Sequence, residues 1–232
     1  MPSFRVVVAR PLYSGNLGSI ARAMKNFGAS ELVLVNPRAR PSDREAIRMA
    51  KHAADILEKA KTEKTIAVAC RGCGLVVGTT GVVGRFRRGI KNCMTPKELA
   101  GKIGDEDKVA LVFGSEGVGL TEKEFDGCDA VCSIPASKRY PVMNLSHSVA
   151  VMLYALSAEK KGVRHYRLAE RAKTLQLARM FDSIIAGLPE VHDKRKVGKA
   201  FKNVLARSRP ADDEAQALFA ALNAMKKKMS RN

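Results

Sequence analysis

The residues best suited to chemistry lie in one short stretch: Ile134-Pro135, the basic loop Ser137-Lys138-Arg139-Tyr140-Pro141, and the polar helix start Asn144-Leu145-Ser146, which leads into an apolar run over residues 149–154. An Ile-Pro turn followed by a polar helix start leaves several backbone groups unpaired, which suits wrapping them around a polar ligand. Two more loops share this character, Gly78-Thr79-Thr80-Gly81 and Gly114-Ser115-Glu116-Gly117-Val118-Gly119, and each follows a strand-like apolar stretch. Ligands of open α/β sheets sit outside the carboxyl ends of strands, so the three loops are expected to converge on one pocket. None of them fits pyrophosphate. Residues 114–120 lack the Gly-Lys-Ser/Thr ending of a phosphate loop, and Gly72-x-Gly74 with Gly78 has one residue too many for the dinucleotide fingerprint and precedes a strand. A nucleotide-dependent dehydrogenase fails on that spacing, and the expected cofactor carries a smaller or a positive charge.

The elements that position these loops follow from periodicity. Residues 4–9 and 31–35 are near-continuous apolar runs, as in parallel strands covered on both faces. Between them Ile20, Ala23, Met24 and Phe27 repeat at helical spacing, with Asn16 expected as N-cap and Gly28 as stop. Ile47, Ala50, Ala54 and Leu57 predict one longer helix from Ser42 to near Lys61. Residues 75–80, 108–113 and 130–134 read as strands, whereas 65–70 are strand-like without a deciding turn signal. Thr95-Pro96-Lys97-Glu98 has the form of a capping box, Thr121-Glu122-Lys123-Glu124 opens a short helix, and a last helix runs from Asn144 to about Lys161. This alternation specifies a three-layer α/β domain with a mostly parallel sheet over residues 1–162. Beyond His165 the pattern is helical only, broken at Gly187-Leu188-Pro189 and Arg209-Pro210, so residues 163–232 are expected to form a small all-α extension.

The chain has 232 residues, 46% of them hydrophobic, and 41 Lys and Arg against 23 Asp and Glu, a formal charge of +18. That balance favours a polyanionic partner. Residues 159–232 hold 18 of the basic residues and 8 of the acidic ones, so the last third of the chain is expected to carry much of the contact with nucleic acid. No apolar stretch approaches the ~20 residues of a bilayer span, and no leader pattern opens the chain, which predicts a cytoplasmic protein without membrane contact. Five cysteines, an odd number, argue against a disulfide framework. Cys70-x-x-Cys73 and Cys128-x-x-x-Cys132 are poorly spaced for zinc, so no metal is expected.

Three ordered segments carry a resemblance: Asn16-x-Gly18-x-x-Ala21-Arg22-Ala23-Met24-Lys25-Asn26-Phe27-Gly28; Phe113-Gly114-x-Glu116-x-x-Gly119-Leu120-Thr121; and Ile134-Pro135 through Tyr140-Pro141-x-x-Asn144-Leu145-Ser146-x-x-Val149. They resemble the three motifs of the SPOUT-class RNA ribose 2′-O-methyltransferases, with the similarity spanning residues 4–160. The Gly78-Thr79-Thr80 strand end and the basic helical extension resemble the TrmJ branch, which methylates tRNA in the anticodon loop. The resemblance implies a deep trefoil knot formed by the last strands and the helix from Asn144. It implies S-adenosylmethionine held by Thr79, Thr80, Gly81, Gly114, Glu116, Gly119, Ile134, Pro135, Met143, Asn144 and Leu145. It implies a short helix within residues 65–73, and a homodimer whose active site borrows from both subunits. For that interface the helix from Asn144 offers Leu145, Val149, Met152, Leu153 and Leu156.

The resemblance also implies four catalytic residues: Arg22, Glu116, Asn144 and Ser146. A guanidinium is a poor base at neutral pH, so Arg22 is assigned to gripping a substrate phosphate and stabilising the developing alkoxide. Ser146 and Asn144 orient the hydroxyl or the motif loops. Glu116 neutralises the sulfonium, holds a neighbouring loop, or serves the helix at Thr121. Arg10, Arg22, Lys25, Arg85, Arg87, Arg88, Lys138 and Arg139 are the expected RNA contacts. Relatives place an arginine closer to the paired Thr/Ser than Arg85 is to Thr80, and His147 replaces a more usual amide. A catalytically inactive knotted RNA-binding protein and a methyltransferase of rRNA remain as alternatives. A Ser146-His147 hydrolase pair is excluded because adjacent helix residues point apart.

Overall fold

Strands with apolar side chains on both faces are buried only when helices cover both sides of the sheet. In the computed structural model, which describes residues 2–83, 93–104, 107–158 and 167–229, the strands are β1 (Ser3–Ala9), β2 (Glu31–Val35), β3 (Lys61–Glu63), β4 (Leu75–Thr79), β5 (Cys93–Met94), β6 (Lys108–Phe113) and β7 (Ala130–Cys132), and the long ones obey this rule while β3 is a polar, exposed edge. They form one parallel sheet in the order β3-β2-β1-β6-β4-β7-β5. Alternation along β1 sends Val6 and Val8 into one core cluster and Val7 and Ala9 into the other.

The first cluster is closed by α1 (Ser14–Asn26) and α7 (Leu145–Ala158), through Leu17, Ile20, Met24, Val149 and Met152. The second is closed by α4 (Ile66–Ala69) and α6 (Glu122–Asp126), through Ile66, Ala69 and Phe125. Both α5 (Pro96–Ala100) and α6 start on a complete capping box, Thr95 with Glu98 and Thr121 with Glu124. Helix α4 forms as the resemblance implies, its first turn capped by Thr65 Oγ1, which accepts the Val68 N–H at 3.3 Å.

Three local expectations are corrected. The N-cap of α1 is Tyr13, without a side-chain cap bond, and Asn16 lies inside the first turn. The helix expected over residues 42–61 is divided into α2 (Arg44–Ala50), a 3₁₀ turn (Lys51–Ala53) and α3 (Ala54–Glu58), because Lys51, the residue that ends α2, takes a positive φ of 54° at which an α-helix cannot continue. Strands β3 and β5 were not expected, since three or two residues carry no readable alternation and are set by the sheet edge they join. Helix α1 packs on α2 at backbone distance. A Cβ on Gly18 would stand 2.1 Å from the Ala46 carbonyl oxygen, so only glycine fits.

The chain separates into two compact units, residues 1–162 and 163–232. The described part of the second consists of α8 (Arg171–Ala186), α9 (Lys194–Ser208) and α10 (Asp212–Met229), packed around Leu177, Ile184, Leu205, Ala215 and Leu222. Phe181 and Phe201 stack across α8 and α9 with ring centroids 4.0 Å apart.

Candidate active site

Because β6, β4 and β7 are parallel neighbours, their carboxyl ends bring the following loops side by side. A cavity opens there. Its walls are the β4 end (Thr79, Thr80, Gly81), the β6 end and its loop (Gly114, Glu116, Gly119), Ile134 after β7, and the segment carrying Met143 and Leu145. All nine of these residues are among the expected cofactor contacts. The other two, Pro135 and Asn144, are exposed and do not line the cavity. Among the described lining residues Glu116 is the only charged one. A carboxylate among the described lining residues favours a ligand carrying positive charge.

The loop after β6 is folded back on itself. Gly119 has φ 65° and its N–H donates to the Ser115 carbonyl at 2.9 Å. The loop is held from outside by Arg10, which has a left-handed φ of 53° at the end of β1, pairs with Glu124 and donates to the Gly119 carbonyl at 3.0 Å. Thr79 Oγ1 donates to the Val112 carbonyl at 3.0 Å, tying the β4 end to β6.

Glu116 is not engaged with α6, whose start is served by Glu124. Its carboxylate instead accepts from the Leu12 N–H at 3.0 Å, the Tyr13 N–H at 3.4 Å and the Asn16 side-chain amide at 2.8 Å. That places a negative group at the start of α1, where the helix dipole favours it. Asn16 Oδ1 in turn accepts from Asn144 Nδ2 at 3.1 Å. Asn144 Oδ1 accepts from the Ser146 N–H at 2.9 Å and from Ser146 Oγ at 2.7 Å. Four side chains from the three motif segments therefore form one connected chain. Sequence reasoning missed Asn16 as a site residue; its place at the head of the first motif was the available signal.

The remaining expected residues are placed as follows. Arg22 is exposed on α1 and has no partner among the described residues. Lys25 Nζ binds Asp55 at 2.7 Å and the His52 carbonyl at 2.7 Å. Lys138 and Arg139 are exposed, and their side chains have no partner among the described residues. Arg85, Arg87 and Arg88, like the expected helix end at Lys161, lie outside the described residues. The α7 residues expected to face a second subunit, Leu145, Val149, Met152, Leu153 and Leu156, are all buried within their own unit, because α7 packs against the sheet and α1. Cys132, at the cavity floor, is pushed up to about 12 by burial and stays a neutral thiol. Among the described residues no group of three or more His, Cys, Asp or Glu is placed to hold a metal, and no helix is long and apolar enough to cross a membrane.

This arrangement has counterparts. The chain is 39% identical over 224 residues to the tRNA (cytidine-2′-O-)-methyltransferase TrmJ of Methanocaldococcus jannaschii, covering 93% of this chain and 96% of that one. It is 38% identical over 157 residues to the tRNA (cytidine/uridine-2′-O-)-methyltransferase TrmJ of Pectobacterium atrosepticum, covering 66% of this chain and 64% of the relative's length. The crystal structure of TrmJ from Z. mobilis superposes with a TM-score of 0.70 over 97% of this chain and 99% of that one; at 24% identity the likeness shows the fold alone. Residues 3–154, two thirds of the chain and all three motif segments, match a single family description, and on that match the chain belongs to the SpoU rRNA Methylase family.

Proposed function

We propose that this chain transfers a methyl group from S-adenosylmethionine to a ribose 2′-hydroxyl of tRNA, in the anticodon loop. The observation that carries the reading is the cavity at the β4, β6 and β7 ends, where the described lining residues hold one carboxylate and no cation and Glu116 is joined through Asn16 to the exposed amide of Asn144. The residues present fit the cofactor. At Gly81 a Cβ would come within 3.2 Å of the Pro141 carbonyl oxygen and 3.3 Å of the Val142 Cα, so on this side of the cavity backbone approaches backbone and main-chain groups are open to a ligand. S-adenosylmethionine, when bound, supplies an electrophilic methyl on a sulfonium cation. Glu116 contributes the compensating negative charge, and Thr79, Thr80, Gly114, Gly119, Ile134, Met143 and Leu145 hold and orient it.

Positioning supplies most of the rate in such a transfer, since the hydroxyl only has to sit in line with the methyl and lose a proton. Asn144 directs an amide at the hydroxyl, and buried Ser146 holds that amide in place. Arg22 grips a substrate phosphate and stabilises charge on the oxygen. It does not line the cavity, which supports a homodimer in which the second copy's α1 brings Arg22 to the site. In the same reading the segment from β6 to α7 carries a deep trefoil knot, supported by the non-sequential order β1-β6-β4-β7.

The unit at 163–232 is the RNA-binding extension. On α9 the basic residues Arg195, Lys196, Lys199, Lys202 and Arg207 share one arc, opposite the packed Phe201 and Leu205. That face meets the phosphate backbone, together with Lys138 and Arg139 beside the cavity.

Calorimetry with S-adenosylmethionine, followed by mass-spectrometric mapping of ribose methylation on tRNA incubated with and without the protein, tests the reading. A saturable heat and one new 2′-O-methyl in the anticodon loop are expected. No heat, or no new methyl on any tRNA, would overturn it.

A further inference from the structure

Two amides at the site have their orientation dictated from outside. At one end the backbone N–H of Ser146 can only donate, so the Asn144 atom it meets at 2.9 Å is Oδ1. Asn144 therefore turns Nδ2 toward Asn16, whose contact atom at 3.1 Å must be Oδ1. That leaves Asn16 Nδ2 for Glu116 at 2.8 Å, a carboxylate that already accepts from the N–H groups of Leu12 and Tyr13. A backbone donor at one end and a carboxylate at the other admit one polarity only: Ser146 donates to Asn144, Asn144 to Asn16, Asn16 to Glu116. Bonds aligned in one direction strengthen one another.

The polarity decides what the site offers a substrate. The Ser146 hydroxyl hydrogen is committed to Asn144 at 2.7 Å, and Ser146 is buried. Asn144 Oδ1 already accepts twice. The second amide hydrogen of Asn144, on an exposed side chain, has no partner among the described residues. The group turned outward is thus a donor, not an acceptor.

We propose that Asn16 is a positioning residue for methyl transfer: it fixes the Asn144 amide so that its free N–H meets the ribose oxygen, and it ties that amide to the Glu116 loop that lines the cavity. The inference rests on the ribose-methylation reading above. In the step, the 2′-oxygen uses one lone pair to form the bond to the methyl carbon while the carbon–sulfur bond breaks and its electron pair returns to sulfur. The hydroxyl proton passes to water, and the second lone pair of the oxygen accepts from Asn144. A donor aimed where charge develops is worth most when it is held before the reaction begins.

A reciprocal swap tests this. N16D removes the donor and sets a carboxylate against Glu116, whereas N16D combined with E116Q restores a donor facing an acceptor and leaves Asn144 its outward N–H. At saturating tRNA, N16D is expected to lower single-turnover transfer by about 100-fold while S-adenosylmethionine affinity stays close to wild type, and the double variant, which lacks the Glu116 carboxylate but aims the Asn144 amide again, is expected to transfer faster than E116Q alone. A merely structural role would lower the melting midpoint and leave transfer by the folded variant unchanged. Melting midpoints of the same variants give a readout without activity: N16D should fall by roughly 2–4 °C and the double variant should return. Asn16→Ala, which adds no charge, replaces N16D if that variant does not fold. Wild-type turnover by N16D, or losses that simply multiply in the double variant, would overturn the proposal. An inactive wild type with a restored double-variant midpoint would sink the methylation reading and leave the hydrogen-bond chain standing; an active wild type with additive midpoints would sink the chain alone.

Discussion

Gly114 and Gly119 meet backbone to backbone: a Cβ on Gly114 would stand 1.9 Å from the Gly119 carbonyl carbon and 2.2 Å from the Leu120 nitrogen. Neither neighbour is a side chain that could swing away, so the loop closes along the cavity only because residue 114 has no Cβ. Gly114→Ala is expected to open the loop and weaken S-adenosylmethionine binding by about tenfold or more, at least ~1.4 kcal/mol. Titration calorimetry reads this directly, and unchanged affinity would remove the loop from the cofactor site.

Gly18 fills the same need between α1 and α2, with Met49 Cβ 2.7 Å and the Ala50 nitrogen 2.8 Å from where its own Cβ would lie. Gly18→Ala overpacks this contact and should cost about 1–3 kcal/mol of stability. Urea denaturation should show a lower midpoint with the slope unchanged. A variant as stable as wild type would mean that the two helices part without penalty.

Arg22 is exposed and makes no hydrogen bond or ion pair among the described residues, so its removal should leave the fold intact. Arg22→Ala is expected to keep cofactor affinity and to lose transfer by about 100-fold or more, since a donor to developing charge is lost. Equal loss of cofactor binding and turnover would show that Arg22 is structural.

On α9, the side chains of Arg195, Lys196 and Lys202 have no partner among the described residues. Replacing all three with Ala should weaken tRNA binding and lower the slope of log K against log salt by roughly one for each residue that meets a phosphate. Filter binding across a salt series measures it. An unchanged slope would mean that RNA passes by another face.

Burial pushes the Cys132 thiol up to about 12, and burial, helped by the charge of Glu98, pushes Cys93 up to about 11. A thiol that ionises more readily in the unfolded chain stabilises the fold fully below its ordinary value near 9, and this contribution is lost as pH rises toward the folded value. Melting midpoints should therefore fall between about pH 9 and 11, with a shallower fall in Cys132→Ala than in wild type. Parallel curves for the two proteins would contradict this.

Much of the architecture was legible because its causes are local. The capping boxes Thr95 with Glu98 and Thr121 with Glu124 close within three residues of chain, and apolar runs such as 108–113 name their own strands. Convergence of the three loops was legible in part from strand direction, since parallel strands end on the same side, and the adjacency of β6, β4 and β7 completes it. The second unit announced itself by losing strand pattern after residue 165.

Tertiary structure decided the rest, for a common physical reason: a pattern of residue types says that a group needs a partner without saying which. Asn16 and Glu116 are 100 residues apart, and Asn16 and Asn144 are 128 apart, so no local rule could pair them. Nothing local to Arg10 in the sequence said that it would also clamp the cavity loop, through Glu124 and the Gly119 carbonyl. An apolar stripe on α7 fitted a subunit interface as well as a core, and packing against β-sheet and α1 assigned it to the core. The chain by itself thus determined the long elements and the three loops, while the short edge strands β3 and β5, and the hydrogen-bond chain that aims the Asn144 amide, exist only once the sheet has brought distant segments together.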